Sequence, residues 1–141
     1  MNIRTFHPSD ESAVILLWEK CDLLRPWNDP KKDIRRKLEV QPEMFLVGCL
    51  NGELVATAMA GYDGHRGWVN YLAVAPEQQG NGFGQAIMAE VEKLLGEAGC
   101  PKVNVQVRGT NTSAIEFYER IGYRVDDVVG LGKRIEQDNE G

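Results

Sequence analysis

Cysteine is sparse and unpatterned in this chain. Cys21, Cys49 and Cys100 are the three among 141 residues. Their number is odd, their spacings are long and no Cys-x-x-Cys occurs. That argues against a disulfide framework or a zinc site and for a reducing compartment, the cytoplasm. No metal site is expected. Cys100 lies in the turn Gly99-Cys100-Pro101 without a basic neighbour to lower its pKa, so a thiolate nucleophile is not expected. No apolar run approaches the ~18 residues needed to cross a bilayer, and the first five residues carry no apolar leader core. A basic excess is missing too: formal net charge is −5, which disfavours a nucleic-acid scaffold. Neither nucleic acid nor membrane is an expected partner. Repeats and low-complexity tracts are absent.

What is present suits one domain over residues 1–141. Hydrophobic residues make up 43% and charged residues 26%, ordinary globular proportions. A chain of this length buries about 68–70% of its unfolded surface, so a core needs no staples. The polar tail over 136–141 is expected to fray.

Strand and helix signals alternate. Ile3 to Phe6 reads as a strand, and Ser9 as the N-cap of a helix with acids in its first turn. Val14, Leu17, Trp18 and Cys21 share one face of that helix. His7 reads as a turn residue before Pro8. Asp29 and Pro30 open a second helix, with Ile34 and Leu38 facing inward. Its basic run, Lys31 to Lys37, reads as a solvated face; the alternative is that it borders a phosphate or an acceptor cleft. Asn51-Gly52 signals a hairpin between strands over 45–50 and 54–62. Asp63-Gly64 leads to a third strand over 68–74, which completes an antiparallel meander. A glycine-rich turn and a long helix follow, with Ile87, Val91, Leu94 and Ala98 on one face and Gly99 past its end. Val103, Val105 and Val107 alternate along a strand over 102–108. A last helix covers 113–121, and two closing strands are predicted over 123–128 and 129–135. The expected class is α/β (α+β): a mixed, mostly antiparallel sheet of six to seven strands with about four helices on both faces.

The glycine turn Gln79-Gly80-Asn81-Gly82-Phe83-Gly84 joins a strand to a helix. Glycines admit φ > 0 and let a ligand approach the backbone, and the first helical turn offers unpaired N–H groups at a positive dipole end. The result is a cradle for phosphate or pyrophosphate. A P-loop would need Gly-Lys-Ser or Gly-Lys-Thr at the helix start, and a dinucleotide fingerprint would need glycine at Gln85. Neither occurs. Coenzyme A, with its 3′-phospho-ADP end, remains, beside the plain alternative of a turn that holds nothing.

Two segments in register go further. Leu72-Ala73-Val74-Ala75-Pro76-Glu77-Gln78-Gln79-Gly80-Asn81-Gly82-Phe83-Gly84 resembles motif A of the GNAT superfamily of N-acetyltransferases. The segment from Asn111 to Tyr123 resembles that family's second cofactor motif, Asn-x-x-Ala-x-x-Phe-Tyr-x-x-x-Gly-Phe/Tyr. The strand and helix order matches the family along most of the chain.

The resemblance implies acetyl-CoA as co-substrate and an amine as acceptor. It puts the pyrophosphate on the main chain of Gln79, Gly80, Asn81, Gly82, Phe83, Gly84 and Gln85, and the pantetheine arm along the backbone of Leu72, Ala73 and Val74. Asn111 corresponds to the asparagine that contacts this arm, although a helix N-cap would use it equally well. Ala114 is small where the cofactor passes. Tyr118 corresponds to the catalytic tyrosine beside the sulfur, which can protonate or hydrogen-bond the departing thiolate; core filling, with Phe117, is its alternative. Direct transfer in a ternary complex is implied, and many relatives pair as homodimers.

Many relatives carry a glutamate on the motif A strand or its neighbour, whereas Trp68-Val69-Asn70-Tyr71-Leu72 has no carboxylate. Asp63, His65 and Glu77 read as loop residues, so no base is assigned. Leu23 to Asp29 is expected to line the acceptor site. Three readings stay open: an enzyme for small amines such as polyamines or amino-sugars, a protein N-terminal acetyltransferase of the ribosomal-protein type, and a coenzyme A sensor without turnover.

Overall fold

The computed structural model describes residues 1–139. Nine principal elements follow one another: β1 (Asn2–Thr5), α1 (Glu11–Lys20), α2 (Pro30–Glu39), β2 (Phe45–Leu50), β3 (Glu53–Tyr62), β4 (Gly67–Val74), α3 (Phe83–Glu97), β5 (Val103–Val105) and α4 (Thr112–Arg120). The sheet order is β1-β2-β3-β4-β5. β1 to β4 pair antiparallel and β5 runs parallel to β4. The β2–β3 hairpin turns on Asn51 at φ +53° and Gly52 at φ +80°, the two left-handed residues of the tightest hairpins.

Both faces of the sheet are covered, which is why β2 and β3 read as continuous apolar runs. On one face α1 and α2 press Val14, Leu17, Trp18 and Ile34 onto Phe45, Val47 and Val55. On the other, α3 presses Ile87, Met88, Val91 and Leu95 onto Leu46, Ala58, Ala60 and Val69, with Phe117 and Tyr118 of α4 at the margin. Ile87 and Val91 are fully enclosed, each stabilising by about 1.5–3 kcal/mol. Gly99 and Gly122 sit just past α3 and α4 at φ +90° and +106°, where a left-handed residue ends a helix.

Four expectations change. The sheet has five strands, not six to seven. β5 pairs with β4 only from Val103 to Val105, and no strand forms over the two closing segments. Nothing pairs with the outer edge of β5 among the described residues, and Val125, Val128, Val129, Leu131 and Ile135 lie exposed. The first helix begins differently as well: His7 caps the turn Pro8–Asp10 through Nδ1, Asp10 reciprocates, and α1 continues from there without Ser9 as its cap. The basic run on α2 is not wholly solvated, because Lys37 is buried. The tail expected to fray docks instead. Asp138 is enclosed and bonds Arg36 at 2.5 Å and the Asp29 amide at 2.9 Å; 140 and 141 lie outside the described residues.

One irregularity positions the site. Thr57 pairs with Ala73 and Met59 with Asn70, so β4 carries one extra residue here. This bulge holds Tyr71 at φ +53°. Buried Thr57 bridges it: Oγ1 accepts from Trp18 Nε1 at 2.9 Å and donates to the Tyr71 carbonyl at 2.8 Å. The Trp18 and Tyr71 rings stack at 3.8 Å.

Candidate active site

The glycine turn follows β4 after one short turn, Pro76–Gln78. Gly80 and Gly82 lie at φ +84° and +79°, and a Cβ on either would meet nothing within 4 Å. Their glycines therefore answer to backbone conformation and leave open space in front. No side chain caps α3. Among the described residues, no acceptor meets the amides of Gly80, Asn81, Gly82, Phe83, Gly84 or Gln85. Six main-chain donors thus gather at the positive end of a 15-residue helix, an arrangement that attracts anions. Gln79 differs: its amide is directed to the Pro76 carbonyl at 3.4 Å and its side chain donates to the Val74 carbonyl at 3.1 Å. Gly84 has a packing reason, since a Cβ there would come within 3.1 Å of the Phe117 ring. α4 is thereby seated on the start of α3.

Past Val69 and Val105 the parallel ladder ends, and β4 and the chain after β5 separate. Leu72 and Val74 are half-buried against α3 and Ala73 is buried. The Val74 carbonyl also accepts from Cys21 Sγ at 3.3 Å. Asn111 caps α4 by accepting from the Ala114 amide at 3.2 Å; Ala114 is half-buried.

Tyr118 meets Phe117 and Tyr123 edge-on at 5.2 and 5.5 Å. Burial pushes its phenol up to about 12, because low polarity disfavours the phenolate. Its hydroxyl has no hydrogen-bond partner among the described residues, and the side chain lines an open cleft with Val105, Gln106, Val107 and Ile115.

Gln106 and Val107 also border a second cleft, of about 780 Å³, on the opposite face of the sheet. Leu23, Arg25 and Asn28 wall it from the α1–α2 connection. Asn70 and Tyr71 come from β4, and Asp33, Arg36 and Lys37 from α2. The Tyr71 hydroxyl donates to Asp33 Oδ2 at 2.6 Å. Burial first, then this carboxylate, raise the Tyr71 phenol well above its ordinary value. Asp33 carries no site assignment from sequence, and Lys37 only the alternative that its basic run borders a phosphate or an acceptor cleft. Their i, i+4 spacing, which puts two side chains on one helix face, was the available signal. Asp63, by contrast, is a turn residue whose Oδ1 accepts the amides of His65 and Arg66. Among the described residues no group of three or more His, Cys, Asp or Glu could hold a metal.

Residues 13–123 match the Acetyltransferase (GNAT) family. The chain belongs to that family. An acetyltransferase of Yersinia pestis is 51% identical over 140 residues, 99% of each chain, and the protein is accordingly an N-acetyltransferase. Two solved GNAT-type structures share the fold at lower identity. The ribosomal-protein-S18-alanine N-acetyltransferase of Escherichia coli has a TM-score of 0.71 and 22% identity, over 86% of this chain and 76% of that one. The aminoglycoside 6′-N-acetyltransferase of Acinetobacter haemolyticus has a TM-score of 0.73 and 15% identity, over 96% and 100%. Both likenesses are of fold. No described helix is long and apolar enough to cross a membrane.

Proposed function

We propose that this GNAT enzyme acetylates a primary amine with acetyl-CoA by direct attack in a ternary complex. The observation that carries the reading is the six unpaired amides from Gly80 to Gln85, at the start of the helix on which α4, the helix of Tyr118, is seated through Phe117. Those amides suit a pyrophosphate. Beyond the ladder with β5, which ends at Val69, the edge of β4 over Leu72, Ala73 and Val74 suits an amide-bearing arm laid alongside, with Asn111 and Ala114 flanking its path. Gln79 contributes by strapping the turn to β4.

The amine nitrogen bonds to the thioester carbonyl carbon, the C–S bond breaks, and the electron pair leaves on sulfur. Burial, which pushes the Tyr118 phenol up to about 12, keeps the hydroxyl protonated and able to donate. Its role is therefore to hydrogen-bond the developing thiolate from a hydroxyl that no protein group engages. The proton the sulfur finally needs comes from the attacking nitrogen. That nitrogen has to enter neutral, and a desolvated cleft assists its deprotonation. Three free cysteines support a reducing compartment such as the cytoplasm.

The test is thiol release over a panel of amines and N-terminal peptides, with acetyl-CoA binding followed by calorimetry. Transfer to at least one amine, lost when Gly82 is enlarged, is the expected result. Tight binding without release for any acceptor would favour a sensor.

A further inference from the structure

Charge in the 780 Å³ cleft is not balanced. Its one acid, Asp33, is already engaged by Arg36 at 3.0 Å and by the Tyr71 hydroxyl. Arg36 is in turn held by Asp138. Those four groups satisfy one another. Lys37, one turn along α2, is different. It is 9% exposed, yet among the described residues it makes neither an ion pair nor a hydrogen bond. Glu43 acts on it only through space, and burial lowers its ammonium pKa. Partial desolvation with no carboxylate in contact disfavours the charged form. Its Nζ is not sealed in, because no enclosed side-chain nitrogen lacks a partner; it lies beside Gly61, and the Lys37 side chain forms part of the cleft lining. Arg108, after β5, also lines the cleft, over the Trp27 ring at 5.6 Å and with no ion pair among the described residues.

We propose that the acceptor is a primary amine bearing an anionic group, a carboxylate or a phosphate, which the Lys37 ammonium receives while the amine faces the gap between Asn70 and Gln106. This rests on the acetyl-transfer reading and names its substrate class. A polyamine would bring more positive charge to an already uncompensated cation and is disfavoured. Recognition of this kind is charge-assisted and discriminates by the charge left unpaired.

The experiment compares propylamine, spermidine, β-alanine and O-phosphoethanolamine as acceptors for wild type and Lys37→Met, by thiol release and by calorimetric binding of each amine. Acetyl-CoA affinity serves as the folding control, and Lys37→Arg retains charge. Wild type should favour an anionic amine over propylamine by about tenfold or more in kcat/KM, equivalent to ~1.4 kcal/mol. The preference should collapse through KM in Lys37→Met and partly return in Lys37→Arg. Whether β-alanine or O-phosphoethanolamine leads assigns the group as carboxylate or phosphate. Equal or better use of propylamine or spermidine overturns the proposal and leaves acetyl transfer standing. Release from no amine, with anionic amines still bound by wild type and not by Lys37→Met, overturns the transfer reading and leaves the subsite standing. No binding and no release overturns both.

Discussion

Tyr71 and Asp33 meet at 2.6 Å, hydroxyl to carboxylate, across the surface that α2 shares with β4. The contact exists because a one-residue bulge holds Tyr71 at φ +53°. A bulky residue in that region costs roughly 1–3 kcal/mol. Stacking on Trp18 and the bridge through Thr57 offset this.

Thr57→Val should therefore destabilise more than a surface change. It leaves the Trp18 Nε1 donor and the Tyr71 carbonyl unpaired in the core, at about 1–3 kcal/mol for each group. Urea unfolding should show the midpoint fall, and combining it with Trp18→Phe should be less than additive because both act on one bond. Strict additivity would mean the bridge contributes nothing.

Gly82→Ala should weaken the protein by about 1–2 kcal/mol, since alanine disfavours left-handed backbone, and should weaken acetyl-CoA in calorimetry. Gly84→Ala acts by another route. Its Cβ would press the Phe117 ring, overpacking at a cost of ~1–3 kcal/mol. Phe117→Leu should relieve Gly84→Ala and leave Gly82→Ala unrelieved.

Tyr118→Phe should lower kcat about 10²-fold, the scale of one lost transition-state donor, with little change in acetyl-CoA affinity. An unchanged rate with every acceptor would assign Tyr118 to the core alone.

Alkali should unfold the protein through its phenols. Tyr71, Tyr118 and Tyr123 are all raised, each chiefly by burial, and Tyr118 reaches about 12. Folded phenols keep protons that unfolded ones release near 10. Stability present below pH 10 is thus lost as pH rises toward 12. Absorbance titration should show three of the four phenols ionising together with unfolding.

Asp138→Asn should free the tail from α2. Arg36 holds the Asp138 carboxyl well below the usual range, so this tie is present above the ordinary carboxylate pKa and fails as pH falls. Hydrogen exchange at the Asp29 amide, which Asp138 accepts at 2.9 Å, should quicken in the variant at neutral pH. Equal exchange in both proteins would mean the tail does not anchor α2.

Local chemistry made much of this protein legible. Asn51-Gly52 specifies a tight hairpin wherever it occurs, and Gly99 and Gly122 stop helices because few other residues tolerate the left-handed backbone required. The cradle from Gly80 to Gly84 is likewise a property of a short stretch, and so is the Asn111 cap. Family membership followed from two such stretches at the right distance.

Partners distant in sequence decided the rest. Strand signals over 123–135 depend on an edge to pair with, and β5 is only three residues long. Lys37 looked solvated beside its basic neighbours, yet the angle at which α2 lies on the sheet turns it inward. Asp138 reaches Arg36 over 102 residues. Periodicity and turn chemistry act within a few residues, so they determined the elements, their order and the anion cradle. Which charges stand unpaired in the cleft depends on how separated elements meet, and only tertiary packing sets that.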